Sequence, residues 1–145
     1  MKKTFLFLLS FLAITAFGQN QNKGTIKVIV SGLRNNSGQV GIRIFDKADG
    51  FPSERAKAIK EIFVKPINGE ATFEIQSWTF GTYAIGSIHD ENSNKEFDKN
   101  FIGIPKEGFG TSNNPKMTFG PPSFKTASFS LSQSEMTIKI QMVYF

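Results

Sequence analysis

The sequence predicts an all-β fold, an antiparallel β-sandwich, on three observations. Apolar and polar residues alternate with a period of two through most of the chain, the pattern of strands buried mainly on one face. Clusters of Asn, Gly and Ser punctuate these runs, as turns require. After residue 18 no segment holds a helical period over three turns. Seven strands of about 5–9 residues in one domain then favour two packed sheets over other all-β arrangements.

Ile26, Val28 and Val30 alternate with Thr25, Lys27 and Ile29. Asn35-Asn36-Ser37-Gly38 is a turn, after which Val40, Ile42 and Ile44 alternate again, so these two runs are expected to pair as a hairpin. Residues 50–58 break the pattern, and Pro52 followed by Ser-Glu-Arg-Ala suggests a loop with one helical turn. A strand near Ile59–Ile67 leads into Asn68-Gly69, a strong short hairpin signal. Ala71, Phe73 and Ile75 then face the core, with Thr72, Glu74 and Gln76 outward. The run from Gly81 to His89 is apolar on both faces, which marks a central strand. Beyond a long loop, Ala127, Phe129 and Leu131 alternate, and so do Ile138, Ile140, Met142 and Tyr144.

Residues 1–18 read as a signal peptide. Lys2 and Lys3 give a positive start, Phe5 to Ala16 an apolar run of signal-peptide length, and Ala16 and Gly18 the small residues before cleavage at Gln19. That run is short for a membrane span, and no later segment approaches one. With no cysteine, a lipid-anchored lipoprotein and a disulfide scaffold are both excluded. Residues 19–145 are enough for a single monomeric domain with a core, exported to the periplasm or beyond. Losing Lys2 and Lys3 lowers the formal net charge from +5 to +3. The remaining Lys and Arg are scattered singly, without the stripe that nucleic-acid binding uses. A transmembrane barrel fails too. Counting back from Phe145, the lipid-facing row would be Val143, Gln141, Lys139 and Thr137, polar where lipid would sit.

Function is expected in the connection over residues 90–125, far longer than the usual four to six residues. Phe97, Phe101, Phe109, Phe119 and Phe124 argue that it is ordered. They suit a satellite core under the loop or an aromatic platform for a sugar or apolar ligand. Pro105, Pro115, Pro121 and Pro122 stiffen its path. Asp90, Asn92, Asn94, the Glu96 carbonyl and Asp98 fall at the alternating spacing with which an EF-hand-type loop wraps calcium. Lys95 stands where such loops place a left-handed glycine, and Phe101 where a bidentate acid closes the cage. Glu107 or Asn100 is a candidate substitute for that acid, which the spacing does not select. The competing reading is that Asp90, Asn92 and Asn94 cap turns.

His89 is the one histidine of the chain. Ser87, His89 and Asp90 are too close along one strand to form a nucleophilic triad, and there is no nucleophile elbow. One His and no Cys exclude a histidine-rich zinc site. A glycosidase-type pair among Glu91, Glu96, Glu107, Asp90 and Asp98 is conceivable, though nothing in the spacing selects one.

The blocks G-T-Y-A-I-G-S-I-H-D-E-N-S-N-K-E-F-D, G-I-P-K-E-G-F-G-T-S-N-N and P-P-S-F resemble the exported bacterial domain of unknown function 2141 family, over about Gly24 to Tyr144. The resemblance implies a sandwich of immunoglobulin-like or transthyretin-like shape and brings no activity with it. The family pattern usually has glycine at the place of Lys95, a departure that counts against calcium in this member.

Two classes of function follow. The leading one is a non-enzymatic binding or accessory module of the bacterial envelope, its long loop the recognition surface, with calcium as a candidate cofactor. The candidate ligand-binding residues are His89, Glu107, Phe109, Ser112, Asn113 and Asn114. Candidate partners are a glycan, a peptide or an envelope protein. The alternative is an envelope hydrolase using His89 and the loop carboxylates.

Overall fold

The structure is a computed structural model, and it describes residues 22–117 and 120–145. The signal segment expected over residues 1–18, and Phe119 of the long loop, lie outside the described residues. The described chain is the β-sandwich the sequence predicts. Its strands are β1 (Lys23–Ser31), β2 (Gln39–Phe45), β3 (Lys60–Val64), β4 (Ala71–Thr79), β5 (Gly81–Asp90), β6 (Gly108–Thr111), β7 (Phe129–Leu131) and β8 (Glu135–Gln141). A single 3₁₀ turn at Arg55–Lys57 and a one-turn helix α1 (Phe124–Ala127) complete it. Among the described residues no helix is long and apolar enough to cross a membrane.

One sheet has the order β4-β1-β8 and the other β3-β2-β5-β6, with β7 beside the start of β5. All pairings are antiparallel except β1 with β8, which is parallel. The core lies where the period-two rows of the two sheets meet. Ile26, Val28, Val30, Ile138 and Ile140 face Val40, Ile42, Ile44 and Ile85, and all but Ile138 (8% exposed) are completely buried. After β8 the chain crosses between layers. The Met142 amide donates to the Ser31 carbonyl of one sheet, and Val143 exchanges two bonds with Phe109 of the other. That stitch brings the tail close to β6. A Cβ at Gly110 would lie 2.7 Å from Ile140 Cγ2 and 2.8 Å from the Gln141 carbonyl oxygen, so the approach requires glycine.

Three expectations need correction. The runs over β1 and β2 do not pair as a hairpin; β1 pairs β4 and β8, while β2 pairs β3 and β5. Asn68-Gly69 does make the tight turn, with φ of 52° and 78° and a bridge between Ile67 and Glu70, but β3 and β4 then enter different sheets. Both connections arch between layers, and they brace each other: the Leu33 amide donates to the Gly69 carbonyl, and the Gly69 amide to Asn36 Oδ1. The third correction is an extra strand, β6, inside the loop expected to be irregular from 90 to 125.

Candidate functional site

The long loop leaves the end of β5 at Asp90, whose side chain sits on the outer face of the five-stranded sheet and is fully buried. One oxygen accepts from Gln39 Nε2 (2.7 Å) and the Lys95 amide (2.8 Å), the other from the Asn94 amide (3.0 Å). Three donors on one buried carboxylate fix the first turn of the loop to β2. The far end of the loop is fastened by Glu107, also buried, whose two oxygens accept from the Glu91 amide (3.0 Å) and the Asp98 amide (3.1 Å). Burial raises the Glu107 carboxyl above its usual value; the two amides oppose this, and the Asp98 and Asp90 charges add to it.

The outer turn carries the candidate cation ligands. Asn92 Nδ2 lies 2.6 Å from Asp98 Oδ2, and Asn94 Nδ2 lies 3.1 Å from the same oxygen. The oxygens of Asn92 and Asn94 accept from the amides of Asn94 and Glu96, so both residues also form Asx turns. Glu96 itself is exposed. Lys95 adopts φ 66°, the left-handed conformation the glycine position of a calcium loop needs. Its ammonium lies 5.7 Å from the centroid of the Phe63 ring. Asn100 turns its Oδ1 to the amides of Ile102 and Ile104. Among the described residues no three His, Cys, Asp or Glu side chains form a metal-holding group.

His89 points the other way, into the core side of β5, and is fully buried. Nε2 donates to the Ser37 carbonyl at 2.9 Å, because a carbonyl can only accept, and Nδ1 hydrogen-bonds with the Tyr144 hydroxyl at 2.7 Å. The Tyr144 oxygen in turn accepts from the Arg34 amide, and the Arg34 guanidinium pairs with Glu91 at 2.7 Å while lying 4.7 Å from the Tyr144 ring centroid. Burial raises the Glu91 carboxyl, but the Asn35 amide and the Arg34 guanidinium outweigh it and hold the group below the usual carboxylate value. Burial likewise raises the Tyr144 phenol. The cluster ties the 34–38 turn, the end of β5 and the tail together.

Ser112, Asn113 and Asn114 work on the backbone at the end of β6. The buried Ser112 Oγ accepts from the Ile85 amide (2.9 Å) and donates to the Ala127 carbonyl (2.5 Å). Asn113 Nδ2 donates to the Ser128 carbonyl, and Asn114 brackets β8 by donating to the Lys139 carbonyl and accepting from the Gln141 amide. Both asparagines have positive φ, 64° and 45°, which this residue type tolerates. A strand-edge role accounts for the Ser-Asn-Asn sequence.

Between the outer face of the five-stranded sheet and the folded-down loop lies a cleft of about 420 Å³. Ile88, Phe97, Pro105 and Phe109 make it apolar, Arg43 and Lys99 bring two cationic side chains to it, and no Asp or Glu is among its described lining residues. Arg43 is 8% exposed and held by Glu61 (2.8 Å) and the Ser53 carbonyl (3.2 Å). Glu61 also binds Arg55 at 2.6 Å, so a single carboxylate serves two guanidinium groups and the cluster stays positive. A second cavity of about 300 Å³ shares Met117 and Phe145 with the first. It is lined by Thr111, whose buried hydroxyl makes no hydrogen bond among the described residues.

A family model described as an uncharacterized protein conserved in bacteria, DUF2141, matches residues 28–139. The chain belongs to this family. No curated protein matches it. Among solved structures, a fimbrial assembly protein from Parabacteroides distasonis aligns with a TM-score of 0.43 at 9% identity, over 84% of this chain and 53% of that one. The chain thus spans about half the length of that neighbour.

In this DUF2141 chain the described aromatic residues of the loop do not form one platform. Phe97 packs on Phe109 at 5.8 Å, Phe124 packs on Phe51 at 5.9 Å elsewhere, and Phe101 stands 98% exposed. Of the candidate residues, Phe109 alone lines the cleft. Arg43, Ile88 and Lys99 escaped the sequence reading. The signal was present in the outward rows of β2 and β5, where Gly41 and Arg43 pair with Ile88 and Gly86. A sandwich strand with so little polar surface on its outer face has something covering that face.

Proposed function

We propose that the protein is an exported, non-enzymatic binding module of the bacterial envelope that takes a small apolar ligand bearing one anionic group. The cleft under the loop carries this reading: its size is in the range of small-molecule sites, its walls are apolar, and the charged side chains that line it, Arg43 and Lys99, are cationic. The signal-like segment at residues 1–18 supports export. The engagement of His89, Asp90 and Glu107 with backbone groups supports binding over hydrolysis, because a general acid or base needs an atom free to reach substrate. A test is titration with anilinonaphthalene sulfonate against its uncharged parent amine. Saturable binding of the sulfonate is expected, weakened about tenfold by Lys99→Glu, since the reversed charge turns attraction into repulsion. Equal binding of both probes, or none at an unchanged melting temperature, would sink the reading.

A divalent cation on the outer turn is a second reading, favoured by the convergence of Asn92, Asn94 and Asp98 and by the left-handed backbone of Lys95. Rotating the two asparagine amides would turn their oxygens toward a cation beside Asp98. With few formal charges the site would be weak, in the range of about 10⁻⁴–10⁻³ M. Calorimetry with calcium is expected to show one millimolar site that Asp98→Asn removes. No heat of binding at several millimolar calcium would end this reading.

A further inference from the structure

The segment Lys99–Lys106, K-N-F-I-G-I-P-K, presents a built apolar tip that no interaction described above uses. Phe101 is 98% exposed, Ile102 64% and Ile104 44%. The tip is held rigid: Asn100 Oδ1 accepts from the amides of Ile102 and Ile104, the Asn100 amide donates to the Ile104 carbonyl, the Gly103 amide donates to the Asn100 carbonyl, and Lys99 and Pro105 form a bridge at its base. Water is a poor solvent for three such side chains, and a structure that fixes them outward gives up the burial that collapse would bring.

The charges say what covers them. Exposed Lys99 and Lys106 flank the tip, neither makes an ion pair among the described residues, and there is no acid between them. The nearest carboxylates are turned inward, Asp98 to Asn92 and Asn94, and Glu107 to two backbone amides. Apolar side chains projecting beyond a cationic collar match an anionic bilayer, where the rings and methyls enter the acyl boundary and the ammonium groups stay at the headgroups. We infer that the 99–106 hairpin tip inserts into an anionic lipid surface, seating the protein peripherally with the mouth of its cleft, which Lys99, Gly103 and Pro105 also line, beside the membrane.

The insertion itself can be read locally, apart from any contribution of residues 5–16. In the full chain, Phe101→Trp places an indole at the tip, with Trp78 and the unsubstituted chain as background. With vesicles of phosphatidylglycerol and phosphatidylethanolamine the new emission is expected to shift to the blue and to be quenched by brominated acyl chains. Phosphatidylcholine vesicles should give little of either. Lys106→Ala in the same background, chosen because Lys106 does not line the cleft, should raise the lipid needed for half the shift about fivefold. An unshifted, unquenched indole on vesicle-bound protein overturns the inference. So does a shift without lipid that grows with protein concentration, which would mean that a second copy covers the tip.

Discussion

Asp90→Ala is expected to lower stability by about 3–5 kcal/mol, because a buried carboxylate that holds three donors is removed and the donors stay where they are. Gln39 Nε2 and the amides of Asn94 and Lys95 lose this acceptor together; Asn94 keeps Asn92 Oδ1, while the Lys95 amide is left with no other partner in the turn. For a domain of this size the melting temperature should fall by about 10 °C or more. The damage should be local before it is global. Limited proteolysis is expected to cut first between Glu91 and Glu107, while the amides of β1 and β4 keep their protection from exchange. Asp90→Asn retains one acceptor and sets an NH₂ group against the remaining donors, so it should fall between the two. A melting temperature unchanged in Asp90→Ala would show that the loop is held by something other than this carboxylate.

That result bears on how the candidate site was read. In sequence, Asp90, Asn92, Asn94 and Asp98 are oxygen ligands at alternating positions, and that spacing does not distinguish a loop wrapped on a cation from one wrapped on its own amides. The structure shows the second arrangement for Asp90 and a mixture for the others, with Asn92 and Asn94 each accepting from the backbone and donating to Asp98. Ser112, Asn113 and Asn114 carry the same ambiguity. Small polar residues after a glycine-rich stretch suggest a ligand, yet here they substitute for ladder bonds where β6 ends.

The fold was more legible than its pairing. β1, β4 and β8 announce themselves by alternation, because a sandwich strand has one wet face and one dry face; β2 alternates in sequence although both its faces are covered, and β5 is marked by a run apolar on both faces. Turn chemistry is local, so Asn68-Gly69 fixed a tight turn without saying whether the chain returns beside itself or crosses to the other layer. β6 could not be seen because two of its four residues are glycine, kept small by the tail that packs across them rather than by any strand preference. The cleft left only a partial trace, in the outward rows of β2 and β5. Its cationic side chains come from β2 and from the loop, 56 residues apart in sequence, and the fold brings them together on the sheet's outer face.

Glu107→Ala is the second large effect, expected at about 3 kcal/mol, since it strands the amides of Glu91 and Asp98 that the carboxylate now satisfies. Glu107→Gln is the more informative variant, because it separates the hydrogen bonds from the charge. It keeps one acceptor, and its stability no longer depends on the titration of this group. The wild-type carboxyl is raised above 4.5 by burial, so on acidification the folded state takes up its proton before the unfolded chain does. Stability therefore rises as the pH falls from neutral through the folded value toward 4.5, and this contribution is lost again as the pH rises. Denaturant midpoints of the two proteins, measured from pH 7 down to about pH 4.5, should show the advantage of the wild type over Glu107→Gln growing on the acid side. Glu91, held below its usual value, has the opposite slope but is present in both proteins and cancels in the difference. An advantage that shrinks with acid would mean that the ionised carboxylate is the preferred state of this latch, and that the backbone amides outweigh its burial.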